Sequence, residues 1–261
     1  MELLSSLYQQ QRRWLNAVFG FGVVAAFWQF ADWQVGSELF FVGPWRVVTY
    51  TYGLFASGEI LDDLQISGIE FFWGYAVAAA AGIGFGMVFG VSRVFREFFD
   101  PWLSAIYATP SVALAPLIII WFGVDLTAKI VIVLITAVVP IVLNTYTGVL
   151  SVGKEFQTLA NSFCVPQRQI LYKILIPGSL PYIVTGLRLG ISRGIVGVVV
   201  GEYFGAYAGL GYQLFKGLDT FNMPLMMSCA AMLAGTGVIF NQVILIIERR
   251  MAPWRDTQLQ E

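Results

Sequence analysis

Apolar residues run in blocks of about twenty, separated by shorter polar stretches. A bilayer core of about 30 Å takes about 20 helical residues to cross. Six blocks have that length: about 14–31, 71–91, 103–122, 128–150, 180–201 and 225–247. They predict an all-α integral membrane chain with six transmembrane helices in one domain, 1–261. The first block follows Arg12 and Arg13, as the core of a signal peptide would. No small-residue cleavage site comes after it, and Trp28, Phe30, Asp32 and Trp33 do. It therefore reads as a retained first helix with an aromatic belt at its outer end.

The polar stretches differ in kind. Residues 34–70 form the longest predicted outer segment. Their middle, VVTYTYGLFASG, is too polar to span and is expected along the interface. Residues 202–224 contain Gly209, Gly211, Asp219 and Pro224 and read as a turn-rich gate or cap. Residues 151–177 are the most informative. They form a polar, helix-prone loop with a short helix expected over 155–164, Pro166 as a break and a second helix over 167–175. Pro177 and Pro181 are expected to stop that run before the fifth span.

Basic residues orient the bundle. With the N-terminus inside, the inner segments hold Arg12, Arg13, Arg93, Arg96, Lys154, Arg168, Lys173, Arg249, Arg250 and Arg255. The outer segments hold Arg46, Lys129 and Lys216, and Arg188 and Arg193 fall within the fifth span. Positive residues prefer the cytoplasmic side, so both termini are expected there. Asp32, Glu38, Glu59, Asp62, Asp63, Glu70, Asp125, Glu202 and Asp219 then lie on or near the outer face.

Small residues and prolines shape the spans. Gly82, Gly86 and Gly90 recur every fourth position, as do Gly197, Gly201, Gly205 and Gly209. That spacing lets helix backbones approach closely in lipid, within one chain or between subunits. Pro110, Pro116 and Pro140 lie inside the third and fourth blocks. Each removes a backbone donor and permits a kink or a break.

Composition excludes several functions. Hydrophobic residues make up 57% of the chain and charged residues 12%, with a mean hydropathy of +0.73. Soluble domains carry roughly twice that share of charge. The net charge of −1 gives no reason to expect a nucleic-acid partner. There is no histidine, the commonest general base and metal ligand, and no catalytic constellation or metal site is expected. Cys164 and Cys229 lie in different elements and read as small apolar fillers. Residues Gly148 to Glu155 come close to a phosphate-binding loop, but Glu155 stands where a hydroxyl should hold magnesium. ATP is not expected to bind there.

The 154–177 loop resembles the cytoplasmic coupling loop of permease subunits of ABC importers. Its loose signature is E-A-A-x-x-x-G, nine residues, then I-x-L-P. Aligned on Pro177, the end reads Ile174-Leu-Ile-Pro177 and the start falls on Thr158-Leu159-Ala160, with Cys164 at the glycine position. The flanks strengthen the match. ATPSVALAPLIIIWFGV at 108–124, VPIVLNTYTGVLSV at 139–152, PGSLPYIVTGLRLGISRG at 177–194, GLGYQLFKGLDTFNMPL at 209–225 and IIERRMAPWR at 246–255 are similar to permeases of the nitrate/sulfonate/taurine/bicarbonate type. The resemblance covers about residues 60–255.

That resemblance implies the type I ABC importer arrangement in a bacterial inner membrane. A second permease copy, giving a homodimer, would complete the pathway. Two cytoplasmic ATPase subunits would bind ATP and Mg, and an extracytoplasmic solute-binding protein would deliver the solute. This chain would hold no cofactor. ATPase coupling would fall to Phe156, Thr158, Leu159, Ala160, Phe163, Cys164, Arg168, Ile174 and Pro177. Phe156, Leu159, Phe163, Ile170 and Leu171 offer apolar knobs, and Gln157, Asn161, Gln167 and Arg168 a polar rim. On the residues alone, an amphipathic loop lying on the inner leaflet fits equally well.

Arg188 and Arg193 are the leading pathway residues. A charge in the hydrocarbon zone must face water or a partner. Five residues apart, the two arginines cannot share one narrow face. Asn144, Tyr146, Ser192 and Glu202 are further pathway candidates, and Thr136 and Thr145 offer interhelical hydrogen bonds. Tyr203, Phe204, Tyr207 and Tyr212 suit an outer gate, a binding-protein contact or an interfacial belt. A small anion such as a sulfonate, nitrate, bicarbonate or aromatic carboxylate fits the arginines. A neutral or cationic pyrimidine or vitamin precursor is the alternative. An ATP-independent channel or a secondary transporter explains the 154–177 loop less well.

Overall fold

The computed structural model describes residues 2–37, 39, 41–152, 162–163 and 165–251. The described elements are helical: α1 Glu2–Val35, α2 Pro44–Ser57, α3 Leu61–Val91, α4 Arg93–Ala108, α5 Ser111–Phe122, α6 Leu126–Ser151, α7 Gln167–Ile170, α8 Ile176–Gly205, α9 Leu210–Asp219 and α10 Met223–Met251. Among the described residues, four helical runs are long and apolar enough to cross a membrane, or five if the bent pair α4–α5 counts as one. The expected first span lies within α1.

Two compact units emerge. The first comprises 1–61 and 213–231. In it the Trp28 indole N–H donates to the Val42 carbonyl, and α2 begins at Pro44, where the fixed φ suits a first turn. The 34–70 stretch is thus more ordered than its amphipathic middle predicts: α2 holds its centre, and α3 starts ten residues before the expected boundary at 71.

The second unit comprises 62–212 and 232–261. Helix α6 is its hub. Glycines Gly74, Gly82, Gly86 and Gly90 of α3 meet Val133, Ile141, Thr145 and Val149 of α6. Each pair is separated by 59 positions, so α3 and α6 run the same way in constant register. Ala78 and Ala137, both fully buried and in one cluster, fall on the same offset. A methyl added at Gly82 would sit 2.6 Å from the Ile141 side chain, so these glycines set the interhelix distance. Helix α6 also packs along α8, where Gly186, Gly190, Gly197 and Gly201 face Ile141, Ala137, Thr136, Val133 and Ile132.

The third block, 103–122, is bent at one of its prolines: α4 and α5 meet at 97°, broken at Thr109–Pro110. Pro110 has no N–H to continue α4 and instead caps the start of α5. One expectation is corrected: Pro177 and Pro181 do not stop the helix that precedes them. Helical backbone continues from Arg168 to Gly205, 38 residues. A π turn at Leu171–Leu175 makes this possible: the Ile176 N–H donates to the Leu171 carbonyl, five residues back, just before the donor lost at Pro177.

Candidate functional site

The long helix presents its two arginines to two different cavities. Arg188 lines a cavity of about 590 Å³ together with Thr185, Ser192, Gly237 and Asn241. Its Nε donates to Asn241 Oδ1 at 2.7 Å, tying α8 to α10. Arg193 lines a second cavity of about 380 Å³ with Tyr107, Thr109, Pro110, Ser111, Thr136 and Pro140. Five residues at about 100° each put the two guanidinium groups about 140° apart around the helix. The sequence spacing implied this separation, and the fold gives each arginine its own recess.

The second cavity owes its shape to two prolines. The break at Pro110 turns the start of α5 toward it, and a helix start carries partial positive charge. Pro140 cannot donate to the Thr136 carbonyl, which leaves that acceptor without its usual helical partner beside Arg193. Cation, helix start and acceptor thus border one recess.

The other pathway candidates are placed as follows. Ser192 joins Arg188 in the first cavity. Asn144 is half-buried, and its amide donates back to the Pro140 carbonyl at 2.8 Å. Tyr146 is half-buried on α6. Glu202 lines neither arginine cavity. It is fully buried and bonded to Ser67, Gly211 and Tyr212. Tyr203 and Phe204 stack edge to face at 4.7 Å, and Tyr207 is 87% exposed.

Of the coupling candidates, Phe156, Thr158, Leu159, Ala160 and Cys164 lie outside the described residues. Phe163 is 75% exposed and Arg168 is exposed. Ile174 packs with Val149, Ile170 and Leu175, and Pro177 is half-buried at the start of α8. The segment after 165 is therefore continuous with the helix that carries both arginines.

Sequence reasoning missed one group. Lys129 Nζ lies 2.7 Å from Glu70 Oε1, with both residues buried. Both were expected at the outer face, because the apolar blocks begin after Glu70 and just before Lys129. The 59-residue offset shared with the glycine pairs is the signal that could have joined them.

Long apolar helices, one of which offers two cations to solute-sized recesses, are the make-up of a membrane transport subunit. Residues 81–254 match the family of binding-protein-dependent transport system inner membrane components, and the chain belongs to that family. It is an ABC importer permease, a multi-pass inner-membrane protein. A taurine transport system permease protein of Escherichia coli (strain K12) is 27% identical over 237 residues, 89% of this chain and 86% of the relative. A formylaminopyrimidine transport permease protein of Halalkalibacterium halodurans is 28% identical over 248 residues, 94% and 97% of the two chains. A solved amino acid ABC transporter shares the fold, with a TM-score of 0.62, 16% identity and coverage of 77% and 98%.

Proposed function

We propose that two copies of this chain form the pathway of an importer for a small anion, with α8 as its principal wall. One observation carries the reading: both mid-helix guanidinium groups open onto recesses large enough for a small solute. An oxyanion is the chemistry that matches guanidinium donors and a helix start. The taurine transport relative supports a sulfonate, and nitrate, bicarbonate or an aromatic carboxylate has the same recognition needs. The formylaminopyrimidine relative supports the second reading, a pyrimidine or vitamin precursor.

In this reading Arg188, Arg193, Ser192, Asn144 and Tyr146 contact solute in turn. The 151–177 loop docks on a cytoplasmic ATPase, one per permease copy, and these partners bind ATP and Mg. A solute-binding protein delivers cargo to the outer side. Six crossings place both termini in the cytoplasm. Nucleotide-driven movement enters near Phe163 and Arg168 and reaches the arginines along one helix.

The test begins with the binding protein that serves this permease. Calorimetry over a panel of sulfonates, nitrate, bicarbonate, aromatic carboxylates and pyrimidines identifies its ligand. Uptake of that ligand into proteoliposomes is then measured with ATP. The expected result is an anionic ligand whose ATP-dependent import falls at least tenfold in Arg188→Gln. A pyrimidine ligand with import indifferent to Arg188 selects the second reading. Import without ATP overturns both.

A further inference from the structure

The turn after α8 is held down by side chains rather than by backbone pairing. Four successive backbone N–H groups at its end point to three side chains. Gly209 N–H donates to Asp63 Oδ1 at 2.6 Å, and Leu210 N–H to Ser67 Oγ at 2.8 Å. Gly211 N–H donates to Glu202 Oε2 at 2.5 Å, and Tyr212 N–H reaches the same oxygen at 3.4 Å. Ser67 also donates its own hydroxyl to Glu202 Oε1 at 2.5 Å. Ser67 therefore accepts from the turn and donates to α8, closing a ring that joins α3, α8 and the start of α9.

Every member of this ring is buried: Asp63 is 6%, Ser67 5% and Glu202 0% exposed. The backbone is shaped for it. Gly209 has φ +116°, a region that glycine alone enters freely, and a Cβ there would overlap the Glu202 carboxylate. Leu210, 1% exposed, lines a small apolar void with Ser67, Gly68 and Phe71. The turn thus combines a buried apolar side chain with a polar collar.

The placement matters because α8 is one continuous rod. Its inner end adjoins the coupling segment, its middle carries Arg188 and Arg193, and its last turn carries Glu202. A rod pushed at one end pivots about whatever holds its other end. We propose that Glu202 is a positioning residue for transport, fixing the outer end of α8 through Ser67 and the 209–212 amides so that inner movement displaces the arginine-bearing middle. With the collar open, the same movement is absorbed by the 206–212 turn. ATP is then hydrolysed without matching import. This proposal rests on the importer reading above.

The test uses the complete complex of permease, ATPase and binding protein in proteoliposomes. The measured quantity is solute imported per ATP hydrolysed. Glu202→Gln keeps the side-chain shape but leaves one acceptor oxygen, so its NH₂ must stand against either the 211–212 amides or the hydroxyl that Ser67 donates. Gly209→Ala displaces the carboxylate without changing charge. Both are expected to lower the ratio at least fivefold while ATP hydrolysis stays within twofold of wild type. Ser67→Ala, which removes both of the serine's hydrogen bonds but leaves Glu202 bonded to Gly211 and Tyr212, is expected to lower it by about half. Glu97→Gln removes an exposed carboxylate and should leave it unchanged. A merely structural role would lower import and hydrolysis together through lost complex, and an unchanged ratio in all three collar variants also overturns the proposal. Failure of the importer reading looks different, since the wild-type complex would then show no ATP-dependent import at all.

Discussion

Arg188 of α8 holds Asn241 of α10 by an Nε–Oδ1 hydrogen bond of 2.7 Å at the edge of the larger cavity. The asparagine fixes one edge of the guanidinium plane and leaves the other nitrogens to face the recess. Asn241→Ala is therefore expected to loosen the arginine without removing its charge. Apparent KM for import should rise about threefold to tenfold with little change at saturating solute. Arg188→Gln should lower the saturating rate as well. Initial-rate uptake over a solute series separates the two.

The Lys129–Glu70 pair predicts a non-additive response. Removing one member strands the other charge in a buried site, which costs about 3–5 kcal/mol. Lys129→Met should thus strongly destabilise the protein, and Glu70→Gln should do likewise. The double variant Lys129→Met with Glu70→Gln should recover most of the loss. Thermal unfolding of the detergent-solubilised protein gives the comparison, and additive losses would show that the two side chains act separately.

The α3–α6 register predicts position-specific tolerance to small additions. Gly82→Ala places a methyl against Ile141 and is expected to cost about 1–3 kcal/mol through overpacking. Gly84, two residues on, is exposed, with nothing near its would-be Cβ. Gly84→Ala should be neutral or slightly stabilising, because alanine is the better helix former. The same unfolding assay distinguishes them.

The proposed docking of an ATPase at the exposed Phe163 and Arg168 predicts a co-purification defect. Phe163→Asp together with Arg168→Glu should abolish co-purification of the ATPase subunit while leaving the unfolding temperature unchanged. A complex that survives both substitutions would place the docking contact elsewhere.

Much of the fold was legible because membrane crossing and close packing leave periodic traces. The apolar blocks marked the regions of α3, α6, α8 and α10, and Gly82, Gly86 and Gly90 announced a close helix contact. The two arginines were also visible, since charge inside an apolar block is conspicuous. What stayed hidden depended on tertiary partners. Glu70, Lys129 and Glu202 look like surface residues in a one-dimensional reading, because nothing local says that a cation or a row of amides waits 59, or 9, positions away. Pro110 and Pro181 both fall within apolar blocks, yet one breaks its helix at 97° and the other lies within a continuous one. The difference lies in the neighbouring backbone, which a proline count does not reveal.

The π turn at Leu171–Leu175 has a consequence for inheritance. A π turn accommodates one residue more than an α turn over the same rise. Deleting a single residue there would relax it to an ordinary turn while leaving the faces of the flanking helices where they are. Between this turn and Arg188 a deletion would rotate everything beyond it by about 100° and swing both arginines off their recesses. The short stretch before Pro177 is therefore where chain length can drift between generations at little cost to the wall.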